Sequence, residues 1–291
     1  MRAARHRDRR RGTGHAAPPN PGDSGLAVDL AHQPLPDDVV GLLEGITSTR
    51  AIRRYRDEPV PPEVLRAIFF AASRAPSGSN RQPFRFLVLD EGPTAVEAKR
   101  LIGRSARQAW AGKRQTDRYD QGSGSTDSSP KARMARAMAR YVEDFENVPV
   151  LVLPCLVRYR DPNPFEGASI YPACQNILLA ARALGYGGVV TGWHVGVERE
   201  LRSLLGIPDH VFMAATLTLG RPQGRQGPVR RRPLGELVFD GSWGTPAPWA
   251  VDPPGTAHTA AGPPGTWAVG RPGGGAAGPQ GGGAAGPQGP H

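Results

Sequence analysis

Apolar side chains stop well short of both ends of this chain. Residues 1–36 are rich in Arg, Gly, Pro and His with no apolar period. Residues 246–291 are built from Gly, Pro and Ala and close on two copies of GGGAAGPQ. Neither stretch has the side chains to offset the entropy of ordering it, so both are expected to be disordered tails. Folding is thereby confined to residues 37–245. That leaves about 200 residues, enough for one domain with a substantial core.

Charge is as uneven as hydropathy. The formal excess is +10, and the first eleven residues alone carry six Arg and one Asp. A basic arm of this kind can touch nucleic acid or an acidic surface, but a solvated tail is the plainer reading, and nucleic acid is not an expected partner. No apolar stretch follows the arginines to make a secretory signal. No run reaches the ~18 apolar residues of a membrane span. The two cysteines, Cys155 and Cys174, sit in apolar surroundings outside any CxxC or Cys/His cluster. Reduced core thiols in a cytoplasmic protein without a membrane partner are the expectation.

Between the tails, apolar spacing alternates between helical and strand-like. DDVVGLLE (Asp37 to Glu44) predicts a short helix capped by an aspartate. Pro61 and Pro62 set a helix start, and Val64, Leu65, Ile68, Phe69 and Ala72 form its stripe, ending near Arg74 before Pro76. Phe84 to Leu89 is the first strand and residues 93–110 the next helix. Residues 115–130, polar and rich in Gly and Ser, predict a loop that could serve as a lid. Met134, Met138, Tyr141 and Phe145 share one face of a further helix. Val148 to Val157 (VPVLVLPCLV) is a buried strand. A helix over Ser169 to Leu184 ends at Gly185, a residue suited to a left-handed cap. Gly187 to Thr191 is strand-like, Glu198 to Leu205 helical, and Phe212 to Leu219 the last strand. About four strands alternating with helices indicate an α/β or α+β sheet covered by helices.

The familiar catalytic and phosphate-binding motifs are missing. There is no GxxxxGK[ST], no GxGxxG between strand and helix and no GxSxG. His194 and His210 lack partners at metal-ligand spacing, so no metal site is assigned. A cofactor would bring the chemistry that the side chains do not offer. Three polar segments could hold one. In Arg50-Ala51-Ile52-Arg53-Arg54, Arg50 and Arg53 could converge on an anion, because guanidinium forks match phosphate oxygens. Pro76 to Gln82 combines small residues with the amides of Asn80 and Gln82, which suit a heterocycle edge. Arg230-Arg231-Arg232 is a second cluster of phosphate size. Taken alone, the two arginine clusters read more plainly as surface charge, and Pro76 to Gln82 equally well as an ordinary helix-to-strand loop.

Taken in order, TRAIRRYRDEPVPPEVL, AASRAPSGSNRQPFRFLVL, QNILLAARALGYGGVVTGW, LLGIPD, ATLTLGRP and RRRPLGELV resemble the nitroreductase superfamily of flavoproteins over about residues 38–243. The resemblance implies an α+β fold, a mixed and mainly antiparallel sheet wrapped by helices. It also implies a homodimer that binds FMN at the subunit interface and uses NAD(P)H as co-substrate. Arg50 and Arg53 match the early contacts to the FMN phosphate and ribityl chain. Ala51 stands where a serine is frequent and Thr49 where an arginine is. Arg231, with Arg230 or Arg232, matches the late phosphate contact. Ser77, Gly78, Asn80 and Gln82 match the loop that approaches the flavin, some of them from the partner subunit. Val190, Thr191, Gly192 and Trp193 match the turn whose backbone meets the ring, with Gly192-Trp193 where many members carry Glu-Gly. The implied activity is electron transfer from NAD(P)H to nitroaromatic, quinone or related small-molecule acceptors by ping-pong kinetics. No catalytic acid or base is evident in the chain. Other flavin chemistries on the same scaffold, dehydrogenation or dehalogenation of a specialised metabolite, stay open, as does a non-catalytic flavin or nucleic-acid binder.

Overall fold

The computed structural model describes residue 30 and residues 33–126, 128–229 and 231–253. The expected tails 1–36 and 246–291 lie largely outside the described residues. The parts that fall inside make some contacts: Gln33 O accepts from Arg66 Nη1 at 2.8 Å, Phe239 bridges Pro246, and Ala247 and Ala250 are buried, so the packed chain extends past residue 245.

Helices α1 (Leu42–Ser48) and α2 (Pro62–Ser73) precede strand β1 (Phe84–Leu89). Helices α3 (Pro93–Thr116) and α4 (Pro130–Glu143) lead to β2 (Val150–Val157). Then come α5 (Tyr171–Ala183), β3 (Gly187–Thr191), α6 (Glu198–Leu205), β4 (Val211–Met213) and β5 (Thr216–Gly220). The sheet order is β1-β2-β5-β3, with β4 also on β2, and every one of these pairings is antiparallel.

Strand β2 explains the layering. Its side chains alternate between two cores, as a period of two requires. Leu151, Leu153 and Cys155 join Ile102, Tyr141, Phe145 and Leu201 on the α3–α4–α6 face. Val150 and Val152 join Ile68, Ile177, Leu217 and Leu219 on the α2–α5 face. A strand covered on both faces reads as the unbroken apolar run seen in the sequence.

Local signals place several element ends. Pro62 opens α2, where a missing N–H is harmless. Ser129 Oγ accepts from Ala132 N–H at 2.9 Å to cap α4. Gly185 (φ 80°) and Gly206 (φ 62°) turn the chain out of α5 and α6 in the left-handed region.

Three expectations need correction. The first helix starts at Leu42, not Asp37, because Val39 N–H is taken by Ala183 O at 2.8 Å and the stretch before Gly41 is held extended. The predicted loop at 115–130 is largely structured. Helix α3 runs on to Thr116, Arg114 forks onto Asp120, Tyr119 packs on Trp110 at 5.1 Å, and Gly122–Ser125 form a 3-10 turn. The last strand is two. Val152 pairs with Leu217 but Cys155 with Met213, so Leu153 and Pro154 oppose three residues, Ala214, Ala215 and Thr216. That is a β-bulge, set where Pro154 has no N–H to offer the ladder.

Candidate functional site

The segment Arg50–Arg54 runs along the free edge of β3. Ile52 N–H donates to Gly188 O at 2.9 Å. The chain then crosses to the end of β5, where Tyr55 bridges Pro222 and Gln223 N–H donates to Arg54 O at 3.1 Å. Glycine at 187 permits this approach, since a Cβ there would lie 2.7 Å from Ile52 Cγ1. The crossing creates a cleft of about 520 Å³ whose lining includes Arg50, Arg53, Arg54, Arg133 and Arg225, and no carboxylate among the described residues. Arg133 comes from α4 and Arg225 from the segment after β5. A pocket lined by five arginines and no acid suits a multiply charged anion, although Arg53 and Arg54 also border a neighbouring cleft lined by Asp57 and Asp144.

Arg53 is the innermost of the five. Its Nε is buried with no hydrogen-bond partner. Beneath it, Thr218 Oγ1 lies 2.8 Å from the Tyr55 hydroxyl and 2.7 Å from that of Tyr141, and Tyr55 also donates to Ile52 O at 2.8 Å. Burial raises both phenols well above the usual tyrosine range, and the nearby Arg53 charge offsets only part of this. They are therefore neutral hydroxyls that hold the segment in place, and no proton donors at ordinary pH.

At the other end of β3, Val190 is 37% exposed, and a Cβ added to Gly192 would meet nothing within 4 Å. The turn that follows is fastened from below. Trp193 packs on Tyr141 and Phe145 at 5.3 and 5.5 Å. His194 N–H donates to Thr216 Oγ1 at 3.0 Å, and its Nδ1 lies 3.2 Å from the same oxygen. Burial lowers the His194 pKa, so its ring is neutral. The backbone of Val190, Thr191 and Gly192 thus faces outward as a flat, fixed ledge beside the arginine cleft.

The loop Ser77–Gln82 belongs to the opposite edge, before β1. Ser77 Oγ accepts from Gln82 N–H at 2.9 Å, Gly78 N–H donates to Ser169 Oγ at 3.1 Å, and Gln82 Nε2 donates to Asn80 Oδ1 at 3.2 Å. Ser79, Asn80 and Gln82 all have φ near +50°. Such backbone is costly for residues with a Cβ and concentrates at functional loops. With two strands between β1 and β3, the edges lie roughly 14 Å apart. One chain therefore brings Arg50, Ala51 and Arg53 beside Val190, Thr191 and Gly192, and does not bring Ser77, Gly78, Asn80 and Gln82 to them.

Arg231 falls between these outcomes. Val229 N–H donates to Thr47 O at 2.9 Å, which anchors the backbone two residues before Arg231 beside the start of the Arg50 segment. The lining of the cleft on that side is Arg225, and Arg232 is paired with Glu236 at 2.9 Å. Arg230 lies outside the described residues. Sequence reasoning missed Arg133 and Arg225. Arg225 had a signal, a basic residue just past the last strand, whereas Arg133 had none beyond its helical position. The thiols of Cys155 and Cys174 are buried, which pushes both up to about 11, so neither is a nucleophile.

Residues 46–221 match the profile of the nitroreductase family. The chain belongs to that family. Among its relatives, a provisionally named NADH dehydrogenase/NAD(P)H nitroreductase of Archaeoglobus fulgidus is 30% identical over 183 residues, 62% of this chain and 85% of the relative. Iodotyrosine deiodinase 1 of Rattus norvegicus is 26% identical over 205 residues, 67% of each chain. In three dimensions, a provisionally named nitroreductase of Desulfovibrio desulfuricans, crystallised in complex with FMN, superposes with a TM-score of 0.50 at 28% identity. That match spans 69% of this chain and 97% of the other. The α+β architecture and its antiparallel sheet are those of the family. Among the described residues no helix is long and apolar enough to cross a membrane, and no cluster of His, Cys, Asp or Glu could hold a metal ion.

Proposed function

We propose that this chain is an FMN-dependent oxidoreductase that takes electrons from NAD(P)H and passes them to nitroaromatic, quinone or related small acceptors. The observation that carries the reading is the acid-free arginine cleft continuing into the open backbone of Val190–Gly192. It matches a ligand that is a phosphate at one end and a flat heterocycle at the other. Arg53, whose buried Nε lacks a partner, fits a phosphate or ribityl oxygen. Arg50, Arg133 and Arg225 would complete the anion site, with Arg231 at its rim. When bound, FMN supplies two-electron chemistry, accepting a hydride from one small molecule and donating one to another. The chain binds and orients. Its backbone amides at the ledge favour negative charge on whatever lies against them, and the neutral phenols and His194 keep that ledge rigid. Two substrates taking turns at one open face gives ping-pong kinetics, with protons drawn from solvent or substrate.

The half-sites at opposite sheet edges fit a homodimer in which Ser77–Gln82 of one copy meets the ledge of the other. Helix α1, next to the arginine segment, presents Leu42, Leu43 and Ile46 outward, an apolar face suited to a second copy. A second reading, reductive dehalogenation of an aromatic metabolite, is favoured by the likeness to the rat deiodinase.

The test is the full chain purified without added flavin. Yellow protein that releases FMN by mass spectrometry, bleaches anaerobically with NADH or NADPH, and recolours with a nitroaromatic or quinone supports the reading. A halophenol that alone restores the colour moves it to the second. Colourless protein that takes up no FMN ends both. Light scattering reads the dimer.

A further inference from the structure

A separate cavity lies against the Ser77–Gln82 loop. It measures about 200 Å³, and its lining includes Gly78, Pro83, Leu156, Tyr159, Arg160 and Phe165. A cavity of about 150 Å³ is known to hold benzene, so this one has room for one substituted aromatic ring. Its walls suit a ring. Pro83 and Leu156 are apolar, Tyr159 is half exposed, and Phe165 is 78% exposed with no buried cluster to join. Large aromatic side chains left in water beside a concave surface indicate a ligand or partner face.

The charge around it is one-sided. Arg158 forks onto Glu166 at 2.9 and 2.6 Å, which neutralises that pair and braces the loop 158–166. Arg81 and Arg160 are different. Their guanidinium carbons lie 4.4 and 5.3 Å from the Tyr159 ring centroid. Neither pairs with a carboxylate among the described residues, although Asp161 adjoins Arg160 in the chain. Arg160 lines the cavity and Arg81 stacks on Tyr159 in its wall, so two unneutralised cations flank an aromatic-walled cavity and suit an aromatic anion, ring inward and charge at the rim. The cavity touches Gly78, whose N–H is fixed by Ser169 Oγ, in the loop assigned above to the flavin of the second copy.

We infer that this cavity selects the electron acceptor, and that the preferred acceptor is an anionic aromatic compound such as a nitrobenzoate. Tyr159 and Phe165 hold the ring; Arg81 and Arg160 hold the carboxylate. The inference rests on the flavin reading for the word acceptor, but binding of an aromatic carboxylate here does not depend on it.

Two measurements on the full chain keep the two apart. In steady-state assays, 4-nitrobenzoate is expected to exceed nitrobenzene in kcat/KM by roughly tenfold or more, the worth of one charge-assisted contact. Arg81→Ala with Arg160→Ala should abolish that preference through the KM for 4-nitrobenzoate, bringing the ratio of the two kcat/KM values close to one. Lysine at both positions should restore part of it. By calorimetry, benzoate should bind the wild-type protein and lose roughly tenfold in affinity in the double variant. The single Arg160→Ala variant, at an exposed position, guards against a folding failure. Equal treatment of the two acceptors by the wild type, or benzoate affinity indifferent to both arginines, overturns the inference. Protein that binds benzoate as expected but carries no FMN overturns the proposed function and leaves this site standing.

Discussion

The two edges of the sheet are built in opposite ways. At the β3 edge a distant segment closes over the strand, glycine admits it, and five arginines crowd a cleft floored by neutral hydroxyls. At the β1 edge a short loop folds on its own hydrogen bonds, three residues adopt left-handed backbone, and aromatic side chains stand in solvent. The β3 edge concentrates uncompensated charge in its cleft, and the β1 edge combines exposed aromatic surface with backbone strain. Each arrangement lowers stability unless something binds, and the two needs are complementary. On the proposed reading, the contrast teaches that a single chain holds two half-sites, an anion grip with a ledge and an aromatic pocket with a loop.

The sharpest way to break this division is at the anion grip. Arg50→Ala with Arg53→Ala should weaken FMN binding by a hundredfold or more, since each charge-assisted contact is worth about 1.5–3 kcal/mol. Equilibrium dialysis that finds unchanged affinity would remove the β3 edge as the phosphate site. Next in size is the floor. Thr218→Val strips the oxygen shared by Tyr55 and Tyr141. It should cost about 1–3 kcal/mol in urea unfolding and loosen FMN, while benzoate binding at the β1 edge stays unchanged. Equal losses at both edges would show that the halves are not separable. Smaller again is Ser169→Ala, which removes the acceptor of the exposed Gly78 N–H. About 0.5–1.5 kcal/mol is expected, with the benzoate affinity altered and FMN retention in the absence of acceptor spared.

The smallest effect is a pH dependence that differs between edges. Burial lowers the His194 pKa in the fold, so the unfolded chain binds that proton first. Stability from this group is full above the ordinary histidine value of about 6.5 and falls as pH drops below it. The Arg158 ion pair lowers the Glu166 pKa, so its contribution is lost only as pH falls below the usual carboxylate range. Melting curves should show a shallow decline starting near pH 6.5 that His194→Gln removes and Glu166→Gln does not. A decline that ignores His194→Gln would detach the ledge from this histidine.

Much of the chain could be read without coordinates. Phe84–Leu89, Gly187–Thr191 and Glu198–Leu205 have the expected ends, because apolar runs, Pro at a first turn and Gly beyond a last turn act through nearest neighbours. Helix α1 could not be read, because the contact of Val39 with Ala183 overrode an aspartate that looked like a cap. The proposed site could be read as three segments but not as a place. Arg133 carries no local mark beyond its helical position, and although Arg225 stands just past the last strand, only the antiparallel closing of β5 on β3 sets it against Arg50 and Arg53.

What the amino-acid order determined by itself is which stretches are helix or strand and which family the chain joins, since both follow from spacing and side-chain chemistry along the chain. The tertiary structure alone decided the strand order, the bulge opposite Pro154, and the assignment of the arginines and the polar loop to opposite edges. Those depend on pairings between residues far apart along the chain, such as Phe84 with Leu156 and Ile52 with Gly188, which no local pattern encodes.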